Sequence, residues 1–250
     1  MRLALKRSFS LIVAALLALG LGRPAQAAEL NVMVFQGVQN IPLYVAEEKG
    51  FFARYNLSVK VNIAPNSEAL RNGLIDGTYQ IVHTAVDNAV ALARTGKAPI
   101  SVVLGGDNGF NSLFVQPGIG AFKELRGKTL VVDAPDTAFA LVAYAMLRKN
   151  GLEPNDYETR KVGATFLRLK EMQTDPDKSA ASILNLPFSL LAQKAGLRDF
   201  GRAIDVIGPY LSTTGFATQA WAENHPQVLT AYIRAYIEAL RWARDPGNKA

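Results

Sequence analysis

The chain has 250 residues, 49% hydrophobic and 19% charged, with 27 basic and 21 acidic side chains and a formal net charge of +6. The apolar fraction excludes disorder, and the length suffices for one large domain or two lobes with their own cores. Cysteine is absent, which excludes disulfides, thiolate metal ligands and cysteine nucleophiles; with only His83 and His225, a histidine-rich metal site is excluded too.

The basic excess sits largely at the start. Arg2, Lys6, Arg7 and Arg23 precede the first acidic residue, Glu29, and flank an uncharged stretch centred on residues 11–19. Ala25-Gln26-Ala27 follows, the small-x-small pattern of a signal-peptidase site. The apolar run is shorter than the ~20 residues of a membrane span, so residues 1–27 read as an export signal cleaved after Ala27. Removing them leaves 23 basic against 21 acidic groups, about neutral, with no basic and aromatic face for nucleic acid.

Residues 30–35 read as a buried strand and 40–49 as a helix stopped by Gly50. Residues 57–63 alternate as a half-buried strand, and Asn66-Ser67 cap a short helix ending at Asn72-Gly73. A strand at 81–84, a helix at 86–94 and a strand at 100–104 complete an α/β pattern with largely parallel pairing. After the glycine-rich residues 105–109 the alternation restarts. Strands are expected at 113–116, 129–132, 159–162 and 182–184, with helices at 137–149 and 164–172. The last helix is marked by Val228, Leu229, Tyr232, Ile233, Tyr236, Ile237 and Leu240 on one face. Residues 70–86 and 169–188 share a layout, as two lobes of similar construction would. Segments 105–109 and 208–215 supply the two crossings that a lobe interrupted by another requires.

Catalytic motifs fail on inspection. Gly127-Lys128-Thr129 has Phe122 where a phosphate loop needs glycine, and Gly118-Ile119-Gly120 has Lys123 where a dinucleotide fingerprint needs its third glycine. No nucleophile elbow exists to go with His83, and His225 reads as a surface residue at a helix start. What recurs is a strand end followed by a helix N-terminus, at residues 36–40, 65–67, 84–85, 133–137 and 185–188. In parallel α/β sheets those edges face ligand-binding crevices, with helix N–H groups available to a bound solute.

Phe35-Gln-Gly and Ile41-Pro-Leu-Tyr-Val-Ala-Glu-Glu-Lys-Gly-Phe-Phe-Ala-Arg-Tyr-Asn-Leu57 resemble the opening of periplasmic substrate-binding proteins of the nitrate/sulfonate/taurine class of ABC importers. Leu70-Arg-Asn-Gly-Leu-Ile-Asp76, Asn111-Ser112-Leu113, Leu125-Arg-Gly-Lys-Thr-Leu-Val131 and Glu223-Asn-His-Pro-Gln-Val-Leu229 sit in that family's order. The resemblance implies an α/β type II periplasmic binding protein fold: a first lobe from residues 28–106 and 209–250, a second from 107–208, and a ligand cleft between them. It further implies a monomeric, non-enzymatic receptor, without cofactor or metal, that hands a small solute to an inner-membrane permease. Carried over by position, the cleft would hold Gln36, Asn40, Asn66, Ser67, Thr84, Ala85 and Asn88 from the first lobe. The second would add Asn111, Asp136, Thr137, Phe139, Pro187 and Phe188, with Phe139 or Phe188 against the body of the ligand.

Two departures follow. The chain ends at Asp245-Pro-Gly-Asn-Lys-Ala250 where family members continue, which implies a first lobe short of its last helices. The cleft-edge segments carry Asp87, Asp107, Asp133 and Asp136 without Arg or Lys. Asp87 and Asp136 stand at helix starts and read first as caps; otherwise the pattern points away from nitrate or sulfonate and toward a neutral or cationic solute, such as the thiamine-pyrimidine precursors of a sister branch, with His83 against a heterocycle. Two rivals stand beside this reading: a secreted hydrolase using His83, and a pyrimidine-forming relative using a histidine and pyridoxal phosphate. The second lacks a Schiff-base lysine in the expected cleft.

Overall fold

The computed structural model describes residues 26–107, 109 and 111–248. The expected export segment lies outside them, apart from Gln26 and Ala27. Strand β1 (Ala28–Val34) is followed by α1 (Ile41–Glu48), α2 (Phe51–Arg54), β2 (Leu57–Ile63) and α3 (Ser67–Ile75). Then come β3 (Ile81–Thr84), α4 (Val86–Thr95) and β4 (Ile100–Leu104). The next stretch holds β5 (Ser112–Val115), β6 (Thr129–Val132), α5 (Ala138–Lys149), β7 (Glu158–Lys161), α6 (Thr165–Thr174) and β8 (Ala181–Leu184). It closes with α7 (Phe188–Lys194), β9 (Arg198–Arg202) and α8 (Ala203–Ile207), before β10 (Thr214–Thr218), α9 (Gln219–Asn224) and α10 (Pro226–Arg244).

The strands form two five-stranded sheets, ordered β2-β1-β3-β10-β4 and β7-β6-β8-β5-β9. In the first, β1 pairs in parallel with β2 and β3, while β10 runs antiparallel between β3 and β4. In the second, β6 pairs in parallel with β7 and β8, while β5 runs antiparallel between β8 and β9. The two sheets therefore share one plan. In each, the antiparallel strand is the first one laid down after the chain crosses from the other sheet.

The strand sequences explain the layering. Along β1, Leu30, Val32 and Val34 pack with Phe52, Tyr232 and Ala239, while Met33 points to the opposite core with Leu70, Val82 and Phe216. Along β6, Leu130 and Val132 pack toward α5, whereas Val131 joins Phe114, Leu184 and Phe188. Each sheet is thus covered on both faces, and its central strands β3, β5 and β8 are buried along their whole length.

The crossings touch each other. The Ser212 N–H donates to the Asp107 carbonyl at 3.0 Å, and Asn111 Nδ2 donates to Ser212 Oγ at 3.1 Å. A Cβ on Gly106 would lie 1.8 Å from the Thr213 carbonyl oxygen, so only glycine allows the two backbones to pass this closely.

Several boundaries differ from expectation. Residues 51–54 form α2, and α3 runs on to Ile75 rather than stopping at Gly73. Helix α7 begins after Pro187 without a side-chain cap, so its start carries no cap signal. Strand β9, Arg-Asp-Phe-Gly-Arg, is a polar edge strand with no apolar alternation to mark it.

Candidate functional site

The carboxyl ends of β1 and β3 face that of β6 across a cleft whose interior and open mouth together enclose about 450 Å³. Its wall draws on both sheets. One side holds Phe35, Gln39, Ser67, His83, Thr84 and Asn88; the other holds Asp133, Thr137, Phe139, Thr165 and Arg168; Ser212 and Thr213 of the second crossing close it. A smaller space of about 210 Å³ adjoins it, sharing Gln39, Phe139, Ser212 and Thr213 and adding Asp107, Asn111 and Asn185.

On the first side, His83 ends β3 and is 4% exposed. Its Nε2 lies 2.8 Å from the Tyr232 hydroxyl, and its ring stacks on Tyr236 with centroids 5.2 Å apart. Burial pushes the imidazole down to about 4, so it is neutral at physiological pH. The same burial holds the Tyr232 phenol well above its usual range. Next to it, Thr84 Oγ1 accepts from Asn88 Nδ2 at 3.1 Å, one helical turn later.

Arg168 dominates the other side. It is 2% exposed, and its guanidinium donates to Ser182 Oγ (3.0 Å), the Gly163 carbonyl (2.6 Å), Thr165 Oγ1 (3.1 Å) and the Ile183 carbonyl (3.1 Å). Its carbon centre lies 5.7 Å from the Phe139 ring centroid. Burial lowers its pKa to about 10, opposed by the charge of Asp133, so it remains a cation. Asp133, 4% exposed, uses Oδ2 to accept the Ser67 N–H at 2.9 Å; Oδ1 is buried without a partner among the described residues.

Other bonds cross the cleft beside Asp133–Ser67. The Ala164 N–H donates to the Pro65 carbonyl at 3.1 Å and the Val38 N–H to the Leu186 carbonyl at 3.3 Å. At the rim, Arg71 reaches Asn88 Oδ1 and Asp136 Oδ2, each at 3.3 Å, and the Tyr210 hydroxyl donates to Asp87. The two sides stand closed on each other.

Of the residues expected in the cleft, the structure brings Ser67, His83, Thr84, Ala85, Asn88, Thr137 and Phe139 to the main cavity and Asn111 to the adjoining space. Others lie elsewhere. Gln36 is exposed, and Gln39, one helical turn on, lines the cavity instead. Asn40 turns its amide to the Phe35 carbonyl at 2.6 Å, and Asn66 caps α3 by accepting from the Ala69 N–H at 2.8 Å. Asp136 is a solvent-facing partner of Arg71, and Phe188 packs in the core with Phe114 and Leu184. His225 sits at the start of α10 without capping it; its Nδ1 lies 3.0 Å from the Trp221 carbonyl and its ring stacks on Trp221. The expectation of a cleft without Arg is overturned by Arg168. It enters from the first turn of α6 rather than from a strand end, where sequence alone does not distinguish it from a solvated helix residue.

The two-sheet plan and the cleft between strand ends are those of the periplasmic binding protein fold. Residues 38–249 match the family described as NMT1/THI5 like, and the chain belongs to that family. Among solved structures, a protein of Bordetella bronchiseptica RB50 is 22% identical with a TM-score of 0.76, over 89% of this chain and 74% of the other. The periplasmic nitrate-binding protein NrtA of Synechocystis PCC 6803 is 14% identical with a TM-score of 0.77, over 90% and 64%. The alkanesulfonate-binding protein SsuA of Xanthomonas axonopodis pv. citri, bound to MOPS, is 14% identical with a TM-score of 0.73, over 86% and 74%. The chain therefore spans less than two thirds of the nitrate-binding protein and about three quarters of the other two. No curated protein sequence matches it significantly.

Proposed function

We propose that this protein is the solute-binding component of an ABC importer: it captures one small organic solute between its two lobes and delivers it to a permease. The observation that carries this reading is the cavity itself, walled by strand ends of both sheets and crossed by hydrogen bonds that hold them together. Family membership and the described activities of NrtA and SsuA point the same way. Closure about two crossings is the hinge mechanism suited to such capture and release.

The reading extends to a periplasmic, monomeric protein freed of its leader after Ala27, with lobe boundaries near residues 106 and 208. Solute contacts come from Gln39, Ser67, Thr84, Asn88, Asn111, Thr137 and Phe139. The protein acts without catalysis. His83 engages the Tyr232 hydroxyl rather than a serine and a carboxylate, which weakens the hydrolase alternative. Among the described wall residues there is no lysine for a Schiff base, which weakens the pyridoxal alternative.

A thermal-shift series with taurine, alkanesulfonates, nitrate and substituted pyrimidines tests the reading. Saturable stabilisation by one class, reduced by Phe139→Ala, is expected. Turnover of ester or amide substrates that disappears in His83→Gln would replace it with the hydrolase.

A further inference from the structure

Among the described residues, two buried acceptor oxygens in the cleft have no hydrogen-bond partner: Asp133 Oδ1 and Asn185 Oδ1. Both residues directly follow adjacent parallel strands, β6 and β8, and are 4% and 5% exposed. The amide of Asn185 has a fixed orientation. Its Nδ2 donates to the Leu186 carbonyl at 3.2 Å and to Gln39 Oε1 at 3.4 Å, which leaves the oxygen as the free end. Asp133 lines the main cavity and Asn185 the adjoining one, and the two spaces share Phe139.

Buried acceptors are rarely left without a donor, because an unmet one costs free energy that a donating ligand can recover. For a carboxylate the penalty is greatest. Arg168 does not relieve it by hydrogen bonding, since its N–H groups go to Ser182, Gly163, Thr165 and Ile183. The cleft therefore offers two acceptors, one of them charged, beside an aromatic ring. Arg168, the cation on the same wall, spends its N–H groups on Ser182, Gly163, Thr165 and Ile183, so an anionic solute would meet Asp133 as a like charge without a guanidinium donor to bind it.

Resting on the solute-binding reading, we infer that the ligand is a small planar cation with N–H donors, of the amidinium or guanidinium kind. Its N–H groups bond Asp133 Oδ1 and Asn185 Oδ1 while its face lies along Phe139. The other carboxylate oxygen already holds the Ser67 N–H across the cleft, so one side chain couples charge recognition to closure. An N–H on Oδ1 and the Ser67 N–H on Oδ2 then bind the same carboxylate, one oxygen each.

The test uses calorimetric titration of the full mature chain with benzamidine and with benzenesulfonate, probes of similar shape and opposite charge. Benzamidine is expected to bind and benzenesulfonate not to. In Asp133→Asn, which keeps an oxygen for Ser67 but presents an amide to the cavity, benzamidine affinity falls by about tenfold or more. The melting temperature of unliganded Asp133→Asn checks that its lobes remain folded, and the contrast between the probes on the wild-type chain stands without the variant. Benzenesulfonate binding as tightly as benzamidine overturns the cation assignment and leaves the solute-binding reading intact. So does undiminished benzamidine binding by folded Asp133→Asn. Failure of both probes on the wild-type chain overturns the assignment as well, while the underlying reading is decided separately by mass spectrometry for any co-purified solute in the same preparation.

Discussion

His83 Nε2 and the Tyr232 hydroxyl lie 2.8 Å apart, tying the floor of the cleft to the 19-residue helix α10. Tyr232 is fully buried and stacks on Phe52, so the bond is held from both ends. Tyr232→Phe leaves Nε2 without its partner. It is expected to cost about 1–3 kcal/mol in urea unfolding, the usual penalty for an orphaned buried polar group.

The same histidine makes stability depend on pH. Its folded pKa, about 4, is depressed below the ordinary 6.5, so the unfolded chain takes up the proton first as pH falls. The stabilising contribution is present above pH 6.5 and is lost progressively between 6.5 and 4. The full loss is on the order of 3 kcal/mol. Carboxylates titrate in the same window, so the measurement is the difference between wild type and His83→Gln. The variant is expected to show a shallower fall over that range. Identical slopes would show that His83 keeps an ordinary pKa.

Two phenylalanines separate affinity from stability. Phe139 lines the cavity, whereas Phe188 is 7% exposed in the core beside Val131 and Leu184. Phe188→Ala is expected to cost about 3–5 kcal/mol of unfolding free energy. Any effect it has on solute affinity follows only from lost folded protein. Phe139→Ala is expected to weaken binding more than it lowers the urea midpoint. Reversed outcomes would put Phe188 in the cleft.

Arg168 is expected to be the costliest charge to remove. Arg168→Leu deletes four hydrogen bonds and leaves Ser182, Thr165 and Asp133 in a cavity without the cation. A loss of about 3–5 kcal/mol follows, typical of breaking a buried charged network. The exposed pair Lys161–Glu68, at 3.3 Å with side chains 55% and 62% accessible, serves as the control. Glu68→Gln is expected to change stability by less than about 1 kcal/mol. Comparable losses at both sites would contradict the buried network.

Much of this was legible because β/α alternation leaves a strong periodic trace. Four-residue strands such as Ile81–Thr84 and Ala181–Leu184 are wholly buried, short β-branched or aliphatic stretches between turns, and their ends locate the cleft. The strand-end segments include Thr84 and Thr137, which line the cavity, but also Gln36, Asn66 and Asp136, which do not. Near a helix start, polar residues divide between capping, solvent and ligand, and that choice depends on side-chain direction. Arg168 escaped because a cation one turn into an amphipathic helix looks like a solvated residue until the neighbouring sheet covers it. Phe188 and Phe139 were indistinguishable, since an aromatic near a strand end points into the cleft or the core according to backbone geometry.

The central claim is that the cleft holds one small solute. Native mass spectrometry of the mature protein, purified without denaturation from an exporting host, measures this most directly. The account predicts a 1:1 complex whose extra mass is that of a small molecule, released on denaturation and depleted in Phe139→Ala. A mass corresponding to the bare chain alone, or an adduct equally abundant in Phe139→Ala, would contradict it.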